Sequence, residues 1–300
     1  MHNILITGGT GLLGKQLTDA LIIKGHNVSH LSRKPGNNAA VKTFLWDVNK
    51  GTIAPECIDG IDTIIHLAGE GIAAKKWSQE RKKQLVESRT QSVALIYNLL
   101  RSKLHTVKHI ISASATGYYS DRGDELLTET SPPAHDFLGE CCILWEKAVD
   151  EGAELGLRVV KFRTGVVLTP QGGALPLMAL PVKLFVGSAL GSGKQWIPWI
   201  HHQDVVDMYL FAVENENLSG VYNMAAPNPV TNLELTRAIA KQLHRPLWAP
   251  RVPGFALKLL MGEMSTIVLG STKVSAAKIE GAGFKFGFPD VEGALREMYG

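Results

Sequence analysis

Residues 3–14 read NILITGGTGLLG, and this stretch predicts how the rest of the chain folds. Its first part, residues 3–7, is apolar and has the length of a short buried strand. The segment 11–24 then carries apolar residues at helical spacing and stops at Gly25. A strand, a tight turn and a helix in this order are typical of the first unit of a parallel α/β sheet.

The turn contains three glycines, Gly8, Gly11 and Gly14, with the spacing G-x-x-G-x-x-G. One glycine of such a loop makes the tight turn, one lets the backbone approach a pyrophosphate at the helix N-terminus, and one permits close packing of helix on strand. The flanking strand and helix supply the context that this pattern requires. We therefore expect a dinucleotide to bind here; a glycine-rich turn without a ligand is the alternative.

Five further short β-like runs follow, and helical patterns separate the last three of them. The runs are 28–31, 43–46, 62–67, 108–112 and 158–162, and the helical patterns are 78–104 and 137–155. This alternation predicts an α/β fold, a Rossmann-type doubly wound parallel sheet with helices on both faces.

The end of the second strand indicates which dinucleotide binds. NAD-binding proteins of this type carry an acidic residue about 20 positions past the glycine loop, where it binds the ribose 2′-hydroxyl. Here that place reads Ser32, Arg33 and Lys34. A hydroxyl and two cations suit a 2′-phosphate, because arginine offers a planar fork of donors, so we expect NADP(H); an ordinary solvated basic turn is the alternative. Asp47, which ends the third strand, is placed either to accept from the adenine amino group or to close a turn.

The amino-acid composition changes at residue 169, where Gly and Pro become frequent. We therefore place an NADP-binding Rossmann domain at residues 1–168, with part of 203–230 returning to it. Residues 169–300 form substrate-side loops and a small C-terminal α/β portion. The apolar loop after 169 contains Trp196 and Trp199, which either form a pocket wall or pack in the core.

Composition narrows the classes of partner. The 31 basic and 28 acidic residues leave a formal charge of +3 without long runs of like charge, so we expect no nucleic-acid partner. The apolar stretch 175–190 is broken by prolines and a lysine and is too short to span a bilayer, so we expect no membrane partner. Two of the three cysteines are adjacent, which argues against a disulfide framework. We expect no signal peptide and a cytoplasmic protein.

Several motifs together resemble the extended short-chain dehydrogenase/reductase superfamily. They are the glycine loop, the Asp47 position, His66 to Gly69 and Ser112 to Tyr119. More narrowly, the chain is similar to the atypical "epimerase family protein" subgroup, the YfcH type. The narrower resemblance covers nearly the whole chain and lies in Leu67 to Glu70, Trp77, Ser88 and Arg89, Arg163 to Leu168, Gly191 to His201, Leu259 to Glu263, Gly283 and Phe284.

The resemblance implies a nucleotide-binding protein that is an oxidoreductase or an isomerase acting on a small-molecule substrate. It implies that the pyrophosphate lies among Gly8, Thr10, Gly11, Leu12 and Leu13, and the 2′-phosphate at Ser32 and Arg33. By the same resemblance, the adenosine ribose lies near Leu67, Ala68 and Gly69, and the far half of the cofactor near Glu70, Arg89 and Val166. An inward-facing Arg89 needs an anion, which is either a ligand or a structural ion-pair partner. Members of the superfamily often form a homodimer through the two helices at 78–104 and 137–155.

The resemblance also shows what this chain lacks. The superfamily uses a Ser or Thr to hold the substrate oxygen, a Tyr to move its proton, and a Lys to lower the pKa of that Tyr. With Glu146 as the register mark, Leu138 stands at the Tyr position and Cys142 at the Lys position. Without a nearby cation a tyrosine titrates near pH 10 and leaves only ~0.1% phenolate at neutral pH.

The candidate catalytic residues that remain are Ser114 for the hydroxyl and Tyr118, or alternatively Tyr119, for the phenol. Ser114 matches the superfamily serine if Tyr118 matches the tyrosine that ends this motif, but pairing Tyr119 with Ala115 is equally admissible. Two hypotheses remain open: an NADP(H)-dependent oxidoreductase or epimerase acting on a small carbonyl or hydroxyl compound, and a non-catalytic NADP(H)-dependent sensor or regulatory protein.

The segment 191–201 bears on the substrate and on metals. Nucleotide-sugar epimerases carry an arginine there that grips the sugar-nucleotide diphosphate, and this chain has Ile197 instead. Loss of that charge-assisted contact disfavours a nucleotide sugar. The adjacent His201 and His202 are not expected to share an ion from one strand or helix, so we expect no metal site.

Overall fold

The computed structural model describes residues 1–36 and 40–300. Strands and helices alternate along most of the chain, with short 3-10 turns between some of them. The first half contains β1 (Asn3–Thr7), α1 (Leu12–Ile23), β2 (Asn27–Ser32), β3 (Lys42–Asp47), β4 (Thr52–Ile53), β5 (Thr63–His66), α2 (Gln79–Ser102), β6 (His109–Ala115), β7 (Leu126–Leu127) and α3 (Phe137–Asp150). The second half contains β8 (Arg158–Thr164), β9 (Val166–Leu168), α4 (Ala174–Lys183), β10 (Trp196–Ile197), β11 (Trp199–His201), α5 (His202–Glu214), β12 (Gly220–Met224), β13 (Val230–Thr231), α6 (Asn232–Gln242), α7 (Gly254–Met261), α8 (Thr266–Leu269), β14 (Lys273–Val274), α9 (Ala277–Gly281) and α10 (Val291–Tyr299).

Eight strands of the described chain form one sheet, in the order β12-β8-β6-β5-β1-β2-β3-β4. Its strands pair in parallel except at the β3–β4 edge. The chain builds outward from β1 through β2 and β3, then resumes at β5 and builds in the other direction. The predicted doubly wound α/β sheet is therefore confirmed, and its topological switch point lies between β1 and β5, where such sheets bind ligands.

Alternation of side chains along the strands builds a core on each face of this sheet. Ile4 and Ile6 belong to one cluster, together with buried residues of α1 and α5. Leu5, between them, belongs to the other cluster, with buried residues of α2 and α3. Because both faces are covered, the strands are apolar on both sides, as expected for a parallel sheet.

Both predicted helical segments on the second face begin at side-chain caps. Ser78 accepts the backbone N–H of Arg81 at the start of α2, and Asp136 accepts that of Gly139 at the start of α3. On α3, Leu144 is exposed while Trp145 is buried in the core. A homodimer through these helices stays a prediction.

The remaining segments form a layer beyond one edge of the sheet. Its core contains buried residues of α4, α6 and α10 together with the fully buried Trp199. Between β11 and β13 the chain returns to the large sheet through α5 and β12. The proposed domain boundary at residue 168 stays a prediction. No helix in the described ranges combines the length and the apolar character needed to cross a membrane.

Candidate functional site

The residues that the sequence assigns to a cofactor lie together along the edge of the sheet that is formed by the C-terminal ends of its parallel strands. They follow β1 (Gly8, Thr10, Gly11, Leu12, Leu13), β2 (Ser32, Arg33, Lys34), β3 (Asp47), β5 (Leu67, Ala68, Gly69, Glu70) and β8 (Val166), with Arg89 reaching in from α2. This edge is the ligand-binding crevice of an open α/β sheet. Their contacts to a cofactor stay a prediction.

The glycine loop forms a concave backbone surface, and side chains larger than glycine would fill the space that it leaves. Gly8 has φ +74°, and a Cβ there would lie 3.1 Å from the backbone N of Ala68 on the neighbouring β5 connection. A Cβ on Gly14 would lie 2.3 Å from the carbonyl oxygen of Gly8, so only glycine lets α1 approach the loop this closely. The N-terminus of α1 begins at Gly11 without a side-chain cap. Its backbone N–H groups can therefore bind a pyrophosphate, and the loop fits a dinucleotide.

The basic turn after β2 is open to solvent. The Arg33 side chain is 75% exposed and its Nη1 lies 3.6 Å from Glu70 Oε1. Ser32 Oγ accepts the backbone N–H of Lys34. These three side chains can surround a 2′-phosphate. Asp47 closes the turn after β3, where its Oδ1 accepts the N–H of Asn49 at 3.0 Å.

Three arginines cluster beside a single carboxylate. Glu70 pairs with Arg81 at 3.3 Å and with Arg33 at 3.6 Å. Arg89 instead donates to two carbonyl oxygens, those of Leu85 at 2.7 Å and Glu70 at 3.0 Å, and no carboxylate of the described chain lies within ion-pair distance of it. Desolvation lowers the pKa of the Arg89 guanidinium below its ordinary value. The structural ion pair considered for Arg89 is not observed, so its charge is available for an anionic ligand.

A cavity of about 240 Å³ opens beside Arg89, at the end of the sheet. The sheet side contributes small or apolar groups from β6, the 3-10 turn after it, α3 and β9, and the opposite side comes from the C-terminal portion. The sheet side includes Ala115, Thr116, Gly117, Leu138, Cys141, Cys142, Trp145 and Val166, and the opposite side includes Trp196, Ile197, Pro198, Thr266, Ile267, Gly270 and Thr272. None of the glycine-loop residues 8–14 lines it. Cofactor phosphates and cavity therefore occupy neighbouring but separate regions.

The positions of the superfamily's missing catalytic groups meet in this cavity. Leu138 and Cys142 both line it, and so does Ala115, the residue that takes the serine position when Tyr119 is matched to the tyrosine of the motif. Burial raises the pKa of the Cys142 thiol, whose Sγ lies 3.7 Å from the Ala115 carbonyl oxygen. The thiol is therefore protonated at neutral pH and is not a ready nucleophile.

Ser114 does not line the cavity, because it belongs to a buried polar network. Its Oγ donates to Glu146 at 2.7 Å, and the Arg163 guanidinium donates to both oxygens of the same carboxylate at 2.8 and 2.9 Å. Arg163 also donates to Tyr119 Oη at 2.9 Å, and Tyr119 donates to Asn223. Burial raises the pKa of Tyr119 to about 12. All of these contacts join side chains within the folded protein. A catalytic role for Ser114 stays a prediction.

Tyr118 lies next to the cavity without being part of its lining. It ends the 3-10 turn Thr116–Tyr118, whose first two residues do line the cavity. The Cζ of Arg163 lies 3.3 Å from the centre of its ring. Among the described residues, the Tyr118 Oη makes no hydrogen bond, so the phenol is available to another partner. Its role as proton donor stays a prediction.

The two tryptophans of the long loop have different roles. Trp196 lines the cavity and its Nε1 donates to Asp124 at 2.7 Å. Trp199 is fully buried in the core, where its Nε1 donates to the carbonyl of Asn228. Ile197, which replaces the diphosphate-binding arginine of nucleotide-sugar epimerases, is part of the cavity wall. The wall thus presents one aromatic ring and an aliphatic side chain.

His201 and His202 lie at a junction between two elements rather than within one strand or helix. His201 ends β11 and His202 begins α5, and this junction turns both rings to one side, with centroids 4.4 Å apart. Their ring nitrogens and a Glu297 oxygen lie within 4.8 Å of one another. However, His201 Nδ1 accepts the N–H of Gln203, so its Nε2 carries the proton that it donates to Glu297 at 3.1 Å. A metal at Nε2 would have to displace that proton. The absence of a resident metal stays a prediction.

Sequence reasoning missed the part of the cavity wall that residues 266–272 supply. Thr266, Ile267, Gly270 and Thr272 come from α8 and the loop after it, and no motif marks them. It also missed Arg163 as the partner of Glu146. A cation on a buried strand, as at Arg163 in β8, was the available signal, because buried charges need partners.

Comparison with known proteins gives a consistent result along the whole chain. Residues 4–225 match the family model "NAD dependent epimerase/dehydratase family", and residues 252–298 match a "Domain of unknown function (DUF1731)". The chain is 37% identical over 298 residues to the Bacillus subtilis (strain 168) "Epimerase family protein YfhF", covering 99% of this chain and 97% of that protein.

The solved structures that are similar to this chain include the following two. The human epimerase family protein SDR39U1 (isoform 2) with NADPH has a TM-score of 0.88 and 30% identity, with 99% of each chain covered. A nucleoside-diphosphate sugar epimerase from Corynebacterium glutamicum has a TM-score of 0.82 and 34% identity, covering 100% of this chain and 58% of that one.

Proposed function

The chain belongs to the NAD-dependent epimerase/dehydratase family, and on that premise we propose that it is an NADP(H)-dependent oxidoreductase acting on a small carbonyl or hydroxyl compound. The family membership confirms the resemblance found in the sequence. The human relative named above was solved with NADPH, which supports the choice of phosphorylated cofactor. The basic turn at Ser32, Arg33 and Lys34 supports it independently.

The cofactor would be held at the edge where the strands end. The backbone N–H groups at the start of α1 and the small residues of the glycine loop would receive the pyrophosphate. Arg33 and Lys34 would neutralise the 2′-phosphate, and the far half would enter the cavity past Glu70, Arg89 and Val166. When bound, NADP(H) supplies or takes up a hydride at its nicotinamide ring.

The observation that carries the proposal is the cavity beside that edge. It is closed on one side by Trp196 and Ile197 and holds one uncompensated cation, Arg89. An apolar wall with a few convergent polar groups is the usual character of a small-molecule site. Its 240 Å³ are below the roughly 300 Å³ at which pockets for drug-sized ligands begin, so the compound is small.

Tyr118 is the proposed proton donor. No side chain among the described residues holds its phenol, and the same 3-10 turn places Thr116 and Gly117 in the cavity lining. The adjacent Arg163 guanidinium lies over its ring, with its Cζ 3.3 Å from the ring centre, and holds the ring beside the cavity. A general acid or base must reach the substrate oxygen, so this role requires Tyr118 to turn toward the cavity when substrate binds.

Fluorescence titration tests the cofactor proposal. We expect the protein to bind NADPH more tightly than NADH, and Arg33→Gln to weaken NADPH binding about 10-fold or more, because a hydrogen bond to a charged group contributes about 1.5–3 kcal/mol. NADH binding should hardly change. Lys285→Gln, at an exposed lysine between α9 and α10, is the matched control. Equal affinities for both cofactors in the unaltered protein would refute the preference for NADPH.

Turnover is tested separately with a panel of small aldehydes, ketones and α-keto acids, following NADPH oxidation. Any activity found should be abolished in Tyr118→Phe while NADPH binding is retained. Unchanged turnover in that variant would remove Tyr118 from the mechanism.

A second candidate function, a non-catalytic NADP(H)-dependent sensor, is favoured by one specific observation. Ala115, Leu138 and Cys142 all line the cavity at positions where the superfamily carries its reacting groups. None of them can exchange a proton readily at neutral pH. Tight NADPH binding without turnover on any compound of the panel, together with different protease-cleavage patterns in NADPH and NADP⁺, would favour the sensor over the enzyme.

A further inference from the structure

Two helices of the C-terminal portion are apolar around nearly their whole circumference, yet each is covered on one side only. Helix α4 has the sequence ALPLMALPVK and buries Leu175, Ala179 and Val182, while Leu177 on its other side is 73% exposed. Helix α7 has the sequence GFALKLLM and buries only Leu257. A helix that is apolar all round is normally enclosed, so both helices lack a cover on one side.

The exposed sides of these helices are joined by two segments that run next to each other. The backbone N–H of Val252 donates to the Ala189 carbonyl at 3.0 Å, and the Ser188 hydroxyl donates to the Pro250 carbonyl. Arg245 lies over the Phe185 ring, with its Cζ 4.6 Å from the ring centre. Residues 185–191, which follow α4, are thus held against residues 245–252, which precede α7.

We call the exposed surface of α4, these two segments and α7 the basic apolar face. Its large apolar side chains are Leu177, Leu180, Leu184, Phe185, Val186, Trp248, Phe255, Leu259 and Leu260, each at least 48% exposed. Phe255 is 76% and Leu259 84% exposed. Extended apolar exposure of this kind marks an interaction surface rather than ordinary protein surface.

The charges on this face all have one sign. Residues 174–191 and 245–262, which contain the face, carry Lys183, Arg245, Arg251 and Lys258 and no Asp or Glu. All four of these basic residues are exposed. In the described part of the chain, none of the four has a carboxylate within ion-pair distance. They are therefore available to an anionic partner.

From this combination we infer that the basic apolar face docks onto an anionic lipid bilayer surface. Large apolar side chains beside lysines and arginines are the pattern of segments that lie in the plane of the interface, with the apolar groups below the headgroups and the cations among them. Neither α4 nor α7 needs to span the bilayer, which agrees with the lack of a spanning helix among the described residues. The sequence predicted no membrane partner because it lacked a spanning stretch, and docking on the surface requires none.

A second copy of the chain is a poorer occupant of the same face. A twofold interface places the same patch against itself, so the basic residues of one copy would meet those of the other. Like charges brought together across an interface oppose association. An anionic bilayer instead supplies the opposite charge over the whole face.

The test is co-sedimentation of the full-length protein with vesicles of phosphatidylcholine alone and of phosphatidylcholine mixed with phosphatidylglycerol. We expect binding to the mixed vesicles only, falling as salt is raised, because salt screens exposed charges. The double variant Arg251→Glu and Lys258→Glu should bind at least about 25-fold more weakly, because each lost cation contributes about fivefold and each new carboxylate is repelled in addition. The double variant Phe255→Ser and Leu259→Ser should also lose binding, since it removes the inserted groups.

Matched controls keep the test specific. Lys147→Glu and Leu104→Ser alter an exposed cation and an exposed apolar residue outside the face and should leave vesicle binding unchanged. NADPH titration of every variant verifies that it is folded. Failure to bind either vesicle, equal binding to both, or control variants as defective as the face variants would overturn the inference. So would a dimer that the Phe255 and Leu259 variants convert to a monomer, because the face would then be covered by a second copy.

Discussion

The buried contact between Glu146 and Arg163 allows a quantitative prediction. Both side chains are almost fully buried, and two hydrogen bonds of 2.8 and 2.9 Å join them. Arg163→Met removes the cation and leaves a buried carboxylate, a change that costs about 3–5 kcal/mol of the free energy of unfolding. We expect the lower end, about 3 kcal/mol, because Lys161 Nζ remains 3.7 Å from Glu146 Oε2.

Urea unfolding followed by circular dichroism measures this cost, and the double variant tests its origin. If the cost comes from the stranded carboxylate, adding Glu146→Leu to Arg163→Met should recover most of the lost stability, because two apolar groups of similar size can replace a buried ion pair at little cost. Lys83→Met is the matched control. Its pair with Glu87 is exposed and 3.9 Å long, so its loss should cost about 0.5 kcal/mol or less.

Two results would refute this reasoning. A loss below about 1 kcal/mol for Arg163→Met would mean that water or Lys161 compensates the carboxylate, as in a surface pair. A double variant less stable than the single one would mean that the network is worth more than its hydrophobic replacement.

Three further predictions follow from other parts of the structure. Ser114→Ala should lower the free energy of unfolding by about 1.5–3 kcal/mol, because it removes a hydrogen bond to the charged Glu146 carboxylate, and should leave any turnover intact. A large loss of turnover in a stable variant would instead make Ser114 catalytic. Gly14→Ala should abolish measurable NADPH binding, because its Cβ would lie 2.3 Å from the Gly8 carbonyl oxygen. Gly293→Ala in α10, where a Cβ would meet open space, should bind NADPH normally. Normal NADPH binding by Gly14→Ala would contradict the assignment of the glycine loop to the pyrophosphate. His66 is fully buried and its pKa is lowered to about 3 from 6.5, so the unfolded chain takes up a proton before the folded one does. The contribution of His66 to the free energy of unfolding is therefore fully present above pH 6.5 and falls toward pH 3, by about 1.4 kcal/mol per pH unit. The free energies of unfolding of the unaltered protein and of His66→Gln should converge as the pH is lowered from 7 to 5. Curves that stay parallel over this range would remove His66 as the cause.

The sheet and the glycine loop could be predicted because their causes are local. The run at 3–7 is apolar on both faces of a strand, and Gly8 and Gly14 are required by contacts with the adjacent turn itself and β5. These features depend on residues that are close in sequence or fixed by the sheet order.

The cavity could be predicted only in part, because its composition depends on register and on distant segments. A shift of one residue decides whether Ser114 or Ala115 faces the cavity, and the buried partner that fixes Ser114, Glu146, lies on another element. Thr266 and Thr272 enter from a segment without a motif. The His201 and His202 rings lie on the same side of the chain because a strand ends and a helix begins between them. The exact position of that junction cannot be read from two adjacent residues.

The return of α5 and β12 to the large sheet has a consequence for engineering. Beyond β8, the chain leaves the sheet through β9, α4, β10 and β11, re-enters it at α5 and β12, and leaves again at β13. Two separate excursions therefore supply the wall of the cavity opposite the sheet, with Trp196 and Ile197 from the first and Thr266 to Thr272 from the second. Specificity cannot be transplanted between relatives by exchanging one C-terminal block. A working chimera must take both excursions from the same parent and keep the intervening helix and edge strand with the nucleotide-binding half.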